Sequence, residues 1–245
     1  MGHAIEEIAL SRGHQIVATI DVGNQEDFGS EAFRTADVAI EFTTPATARE
    51  GITHSLEAGV PVVVGTTGWY DALAEVEAEV KTCNGGLFYA TNFSIGVNLF
   101  EAVNRYMARL MSGQPQYDVR IEETHHVHKL DSPSGTALTL AGAVMPELKR
   151  KTAWAETTDS PVWLDRGETP QPAVADPSDP TLRITALRRG EVPGIHSVIY
   201  ESDVDTITLT HSAKSRAGFA LGAVVAAEFM AGRNGVYTMT DLLKF

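Results

Sequence analysis

Cysteine is almost absent from this chain of 245 residues: Cys83 stands alone. That excludes an intrachain disulfide framework and a cysteine-built zinc site, and it fits a reducing compartment. Basic residues are also scarce. Lys and Arg number 19 against 32 Asp and Glu, for a formal net charge of −13, so nucleic acid, a polyanion, would be repelled and is not an expected partner. No run of about 18 apolar residues is present to span a bilayer, and the first residues lack the basic-then-apolar layout of a secretory signal. Neither a membrane nor secretion is expected, and the cytoplasm is the simplest address. What the chain does have is 43% hydrophobic residues. That is enough for a packed core in one large domain or two smaller ones, and it rules out disorder as the main state.

Up to Ala90 the hydrophobic period switches repeatedly between helix and strand. Ala4, Ile5, Ile8 and Ala9 form one helical stripe that ends at Gly13, and the apolar run Ile16 to Ile20 reads as a strand. Val38 to Phe42 reads as a second strand. Thr44-Pro45 opens a helix that Gly59 closes, Val60 to Val64 is a buried β-branched strand, Tyr70 to Thr82 is an amphipathic helix, and Leu87 to Ala90 is the next strand. Continuous apolar strands alternating with helices predict a doubly wound, Rossmann-like parallel sheet covered on both faces.

Beyond a helix over Val97 to Met111 the pattern changes. Val119 and Ile121 alternate with Asp118, Arg120 and Glu122, as in a half-exposed strand, so a second α/β domain is expected to begin near Gly96. A helix follows Ser134. The stretch with Pro161, Pro170, Pro172, Pro177 and Pro180 reads as a surface loop. Arg183 to Leu187, Ser197 to Ser202 and Thr206 to Ser212 read as strands of a separate sheet, and the apolar helix Phe219 to Met230 should pack against a sheet.

Three constellations carry chemistry. Asp21 closes the first readable strand 19 residues after Gly2, the spacing at which a carboxylate accepts from an adenosine ribose in a dinucleotide fold. An ordinary turn aspartate reads the same way. Gly65-Thr66-Thr67-Gly68 and Ala90-Thr91-Asn92-Phe93-Ser94 each follow a strand, where small residues let backbone amides approach a cofactor; two such loops in succession favour a cleft over plain connections. The third is Glu123-Thr124-His125-His126-Val127-His128-Lys129, followed by Asp131-Ser132-Pro133-Ser134-Gly135-Thr136-Ala137. Histidines are few in this chain, and such a cluster directly after a strand suits a catalytic loop better than idle surface. His126 and His128 could share a face and hold zinc, but adjacent Lys129 would oppose a dication and no cysteine reinforces the site, so no metal is expected. Ser-Gly-Thr at a helix start offers free N–H groups to an anion. Histidine, lysine and that helix start converge on a carboxylate-bearing substrate.

At these residues the sequence closely resembles the dihydrodipicolinate reductase (4-hydroxy-tetrahydrodipicolinate reductase) family. The likeness runs through Glu41-Phe42-Thr43 with Pro45, Val64 to Gly68, Asn92 to Asn98, His125 to Ala137, Arg188 to Gly194 with His196, and His211 with Ser215-Arg216 and Phe219. The resemblance implies a dinucleotide-binding domain over 1–95 and 213–245, and a substrate-binding and oligomerisation domain over 96–212 that builds a homotetramer. It implies that NADH or NADPH reduces a small-molecule dicarboxylate substrate in diaminopimelate and lysine biosynthesis. Gly65, Thr66 and Thr67 with Ala90, Thr91, Asn92 and Phe93 would hold the nicotinamide end, and Asp21 the adenosine ribose. His126, Gly135 and Thr136 would contact substrate carboxylate, His125 would be the acid, and Lys129 a second proton donor and charge partner. Met1 and Gly2 correspond to the end of the family's glycine-rich turn. The first strand and the leading glycines are therefore missing from this chain, and an apolar strand with a Gly-x-x-Gly turn is expected immediately upstream of Met1. Another Rossmann oxidoreductase, or a degenerate nucleotide-sensing protein without turnover, are the rival readings.

Overall fold

The computed structural model describes residues 1–158, 161–170 and 175–245, and divides into two compact units. The first comprises Met1–Asn98 and Ala217–Phe245; the second is Leu99–Arg216. Pro172 of the proline-rich stretch lies outside the described residues.

In the first unit, helix α1 (Gly2–Ser11) buries Ile5 and Ala9. A short helix α2 (Glu31–Arg34) is capped by the Ser30 side chain, which accepts from the Phe33 amide. Strands β1 (Ala39–Glu41), β2 (Val62–Val64) and β3 (Gly86–Tyr89) follow, separated by α3 (Pro45–Glu57) and α4 (Leu73–Cys83). Pro45 fits the first turn of α3 because its missing N–H is one the helix would leave unpaired. Gly59, at φ +75°, ends that helix in a conformation that costs a glycine little. The sheet is fully parallel, in the order β1-β2-β3 and then β10 (Gly235–Tyr237).

The strand period of two feeds two cores. Val62, Val64 and Leu87 meet Ile52, Leu56 and Val76 of α3 and α4 on one face. Val63 and Phe88 meet Ala220, Ala223 and Val224 on the other, where the apolar helix α7 (Ala217–Met230) packs with α1. Helix α8 (Met239–Leu243) closes the unit.

Two expectations need correction here. Ile16 to Ile20 forms no ladder with any described strand, and Ile16 and Val17 are exposed, because an extended segment without a pairing neighbour is not a strand. Tyr70–Ala72 is a 3₁₀ turn that only then passes into α4.

The second unit takes most of α5 (Ile95–Met111) and builds a mixed six-stranded sheet. Its path is β5 (Ala153–Glu156), β7 (Thr181–Arg188), β4 (Asp118–His125), β8 (Ile195–Glu201) and β9 (Thr206–Ser212), with β6 (Val162–Trp163) also on β7. β4 runs parallel to β7 and antiparallel to β8. Val119, Ile121, Leu182, Ile184, Val198 and Tyr200 line one face, where Leu140 and Val144 of α6 (Gly135–Val144) and Phe100 and Met111 of α5 cover them. Asp118, expected at a half-exposed position, is buried because Lys151 meets it at 2.6 Å. The described part of the proline-rich stretch is not all loop: β6 and a 3₁₀ turn at Leu164–Arg166 lie within it, since a strand of two residues needs few amides.

Candidate active-site elements

In the first unit, three loops gather at the carboxyl ends of β1, β2 and β3, the edge where open α/β sheets bind ligands. The Thr66 hydroxyl accepts from the Thr43 amide at 2.8 Å and donates to Glu41 Oε1 at 3.0 Å, which ties the first two loops together. A Cβ on Gly65 would lie 2.0 Å from the Phe42 ring, so only glycine lets the chain pass there. Phe42 packs on Phe93 at 5.5 Å between ring centroids, and a Cβ on Gly222 of α7 would sit 1.7 Å from the Phe93 carbonyl. Thr67 and Thr91 are exposed, Asn92 and Gly65 half-buried, and Thr66, Ala90 and Phe93 buried. The amides of Thr67, Thr91 and Asn92 donate to no protein acceptor among the described residues. Free N–H groups beside enforced glycine are what a dinucleotide needs, so the loops fit one. Asp21 stands exposed in a turn, its Oδ1 accepting from the Val22 amide at 2.8 Å, and Met1 and Gly2 are exposed at the start of α1.

In the second unit, the period of β4 puts Glu123 and His125 on the same face. Glu123 is fully buried; one carboxylate oxygen bonds His125 Nδ1, while the other accepts from Arg188 Nη1 at 3.2 Å and from the Ser134 amide at 3.3 Å. Burial pushes the Glu123 carboxyl up, but His125 and Arg188 outweigh it and hold it below the usual carboxylate range. Arg188 lies opposite His125 in the ladder, and its Nη2 and Nε reach the carbonyls of Asp131 at 2.8 Å and Lys129 at 3.3 Å.

His196, from β8, packs edge-on to His125 at 5.0 Å. Burial first, and then the His125 charge, pushes its imidazole down to about 4, so it is neutral at pH 7. Ser134 Oγ accepts from the Ala137 amide as the cap of α6 and is also hydrogen-bonded to His196 Nε2 at 2.9 Å. Gly194 leaves space beside the histidine: a Cβ there would lie 3.0 Å from His125 Nε2.

Of the other expected residues, Lys129 Nζ pairs with Asp131 at 2.8 Å, an interaction that lowers the Asp131 carboxyl. His126 Nδ1 is buried with no partner among the described residues, and the His126 and His128 rings lie 6.0 Å apart. Gly135 and Thr136 form the first turn of α6. The ligand-type atoms that converge within 4.8 Å are those of Glu123, His125 and His196, rather than the His126 and His128 pair.

The sequence alone assigns no role to Glu123 or Arg188. The spacing of Glu123 and His125 along one strand is the available signal; Arg188 opens a segment of the family likeness, but its partnership with Glu123 is set by long-range register.

The sequence profiles described as dihydrodipicolinate reductase, N-terminus and C-terminus, match residues 1–93 and 96–243. A 4-hydroxy-tetrahydrodipicolinate reductase of Christiangramia forsetii is 42% identical over 99% of this chain and 93% of its own length. One from Neisseria gonorrhoeae is 33% identical over 97% of this chain and 83% of its own length. Among solved structures, a dipicolinate-bound dihydrodipicolinate reductase from Paenisporosarcina sp. TG-14 aligns with a TM-score of 0.65 at 22% identity, covering 95% of this chain and 83% of that one, a likeness of fold.

Proposed function

The chain belongs to the dihydrodipicolinate reductase family, and from that premise we propose how its residues divide the reduction of 4-hydroxy-tetrahydrodipicolinate. It is an oxidoreductase of lysine and diaminopimelate synthesis. A bound pyridine nucleotide supplies the hydride. Gly65, Thr66 and Thr67 with Ala90, Thr91, Asn92 and Phe93 hold its nicotinamide end, and Asp21 accepts from the adenosine ribose. Met1 and Gly2, at the start of α1, would help to hold its phosphates. NADH serves at least as well as NADPH, because Asp21 would repel a 2′-phosphate and Val22 follows it where a compensating arginine could have stood.

Water leaves the substrate to give a conjugated cyclic imine, which then takes one hydride and one proton. His126 with Gly135 and Thr136 binds carboxylate, with the free amides of the first turn of α6. His125 delivers the proton to the α-carbon from Nε2, since Nδ1 is engaged by Glu123. Lys129 stabilises the negative charge that develops on the substrate and backs up the proton supply. The Glu123–His125 pair, buried at the end of β4, is the observation that carries this reading. The enzyme works as a homotetramer in the cytoplasm. Strand β9 ends its sheet with one edge open among the described residues, and no described helix is long and apolar enough to cross a membrane.

The test is imine-dependent oxidation of NADH and NADPH, with and without a chelator. Turnover with both nucleotides, chelator-insensitive, is expected. Nucleotide binding without turnover would favour a sensor, and a kcat/KM for NADPH more than tenfold above that for NADH would remove the role given to Asp21.

A further inference from the structure

The carboxylate of Glu123 has two differently used oxygens, and the buried guanidinium of Arg188 is shared between that carboxylate and the loop beyond β4. A buried ion pair alone is weak evidence of a stabilising role, because desolvation offsets much of its attraction. The distribution of partners says more. Arg188 donates to Glu123, to the carbonyl of its own neighbour Leu187 at 2.8 Å, and to the carbonyls of Lys129 and Asp131, so one side chain anchors both the carboxylate behind His125 and the backbone that carries Lys129. The Ser134 amide, at the other end of the same loop, returns to Glu123.

We infer that Glu123 and Arg188 are positioning residues: the carboxylate fixes His125 with Nε2 as its proton-exchanging atom, and the guanidinium locks that carboxylate to the Lys129 loop. This rests on the reading of His125 as proton donor. A carboxylate on Nδ1 selects the tautomer with hydrogen on that nitrogen and holds the ring plane. The charged groups around His125 are Glu123 on its own strand, Arg188 on β7 and Lys129 with Asp131 on the following loop; His196 on β8 faces it as a neutral ring.

Glu123→Gln separates this role from simple filling of space. A glutamine has one acceptor. If its oxygen faces Nδ1, its NH₂ confronts Arg188 and the Ser134 amide; if turned round, its NH₂ faces Nδ1 and drives the hydrogen to Nε2. The expected result is a kcat lower by on the order of 10²-fold, the scale of losing an acid–base group, with substrate KM within about threefold of wild type. ¹⁵N spectra of the imidazole should move from the Nδ1–H to the Nε2–H form, and the acid limb of the pH–kcat profile should shift. Arg188→Lys should lower kcat and raise substrate KM together, because the Lys129 loop loses its anchor. If Glu123→Gln does not fold, Glu123→Asp, which keeps the charge but withdraws the oxygen from Nδ1, carries the same three readouts. An unchanged tautomer, profile and kcat in a folded Glu123 variant, with His125→Gln inactive, would overturn this inference alone. A fully active His125→Gln would instead overturn the proton-donor reading beneath it.

Discussion

At the carboxyl ends of β1, β2 and β3, the loops proposed for the nucleotide offer backbone amides, threonine hydroxyls and, at Gly65, no room for a side chain. At the end of β4, the second unit instead gathers the charged Glu123 and Arg188 with His125 and the neutral ring of His196 in one buried cluster. The first arrangement suits a large ligand that must lie against the main chain, and shape is its weak point. The second suits moving a proton between fixed atoms. Its weak point is charge, since removing one partner of a buried network strands the others.

If charge organises the second unit generally, its other buried ion pair should be costly to break. Lys151 Nζ meets Asp118 at 2.6 Å and also donates to the carbonyl of Asp179 at 2.6 Å. Lys151→Met should destabilise the protein by about 3–5 kcal/mol in a urea titration, because Asp118 is left buried without its counter-charge, held only by the Val119 and Asp176 amides. A loss under about 1 kcal/mol would mean that solvent reaches the pair.

His196 tests the same contrast through pH. Burial pushes its imidazole down to about 4 in the fold, from about 6.5 for an ordinary histidine, so the unfolded chain binds the proton more tightly. The stability it confers is present above pH 6.5 and is lost as pH falls from 6.5 towards 4, on the order of 3 kcal/mol in all. His196→Gln should flatten the stability curve in that window. An equally steep curve in the variant would assign the slope to other groups.

Shape is probed by Gly65→Ala. The added carbon would meet the Phe42 ring at 2.0 Å, so the loop or the ring must move. Overpacking of this kind costs about 1–3 kcal/mol. NADH affinity should weaken while the His125 tautomer, read by ¹⁵N spectra, stays as in wild type. A tautomer change would contradict the separation of the two sets of residues.

Much of this was legible in the sequence because the signals were local. The β-branched run before Gly65 and the Thr44-Pro45 helix start depend on neighbours within a few residues, and they matched β2 and α3. Ile16 to Ile20 has the composition of a strand but lacks a ladder, and pairing is a property of two segments. β10 went unread for the same reason: Gly235–Tyr237 is three residues long and is fixed by its register on Gly86 to Phe88. In the site, the cluster from His125 to Lys129 was visible as a rare grouping. The partnership of Glu123 with Arg188 was not, because it arises from β4 and β7 lying side by side.

If one set of residues holds the nucleotide and another delivers the proton, binding and turnover must come apart. Calorimetric NADH binding and imine-dependent turnover, measured together on wild type, His125→Gln and Lys129→Ala, separate them. NADH affinity should stay within about threefold of wild type while kcat falls by on the order of 10²-fold or more in both variants. Wild-type turnover in both variants, or loss of NADH binding in step with turnover, would contradict that division.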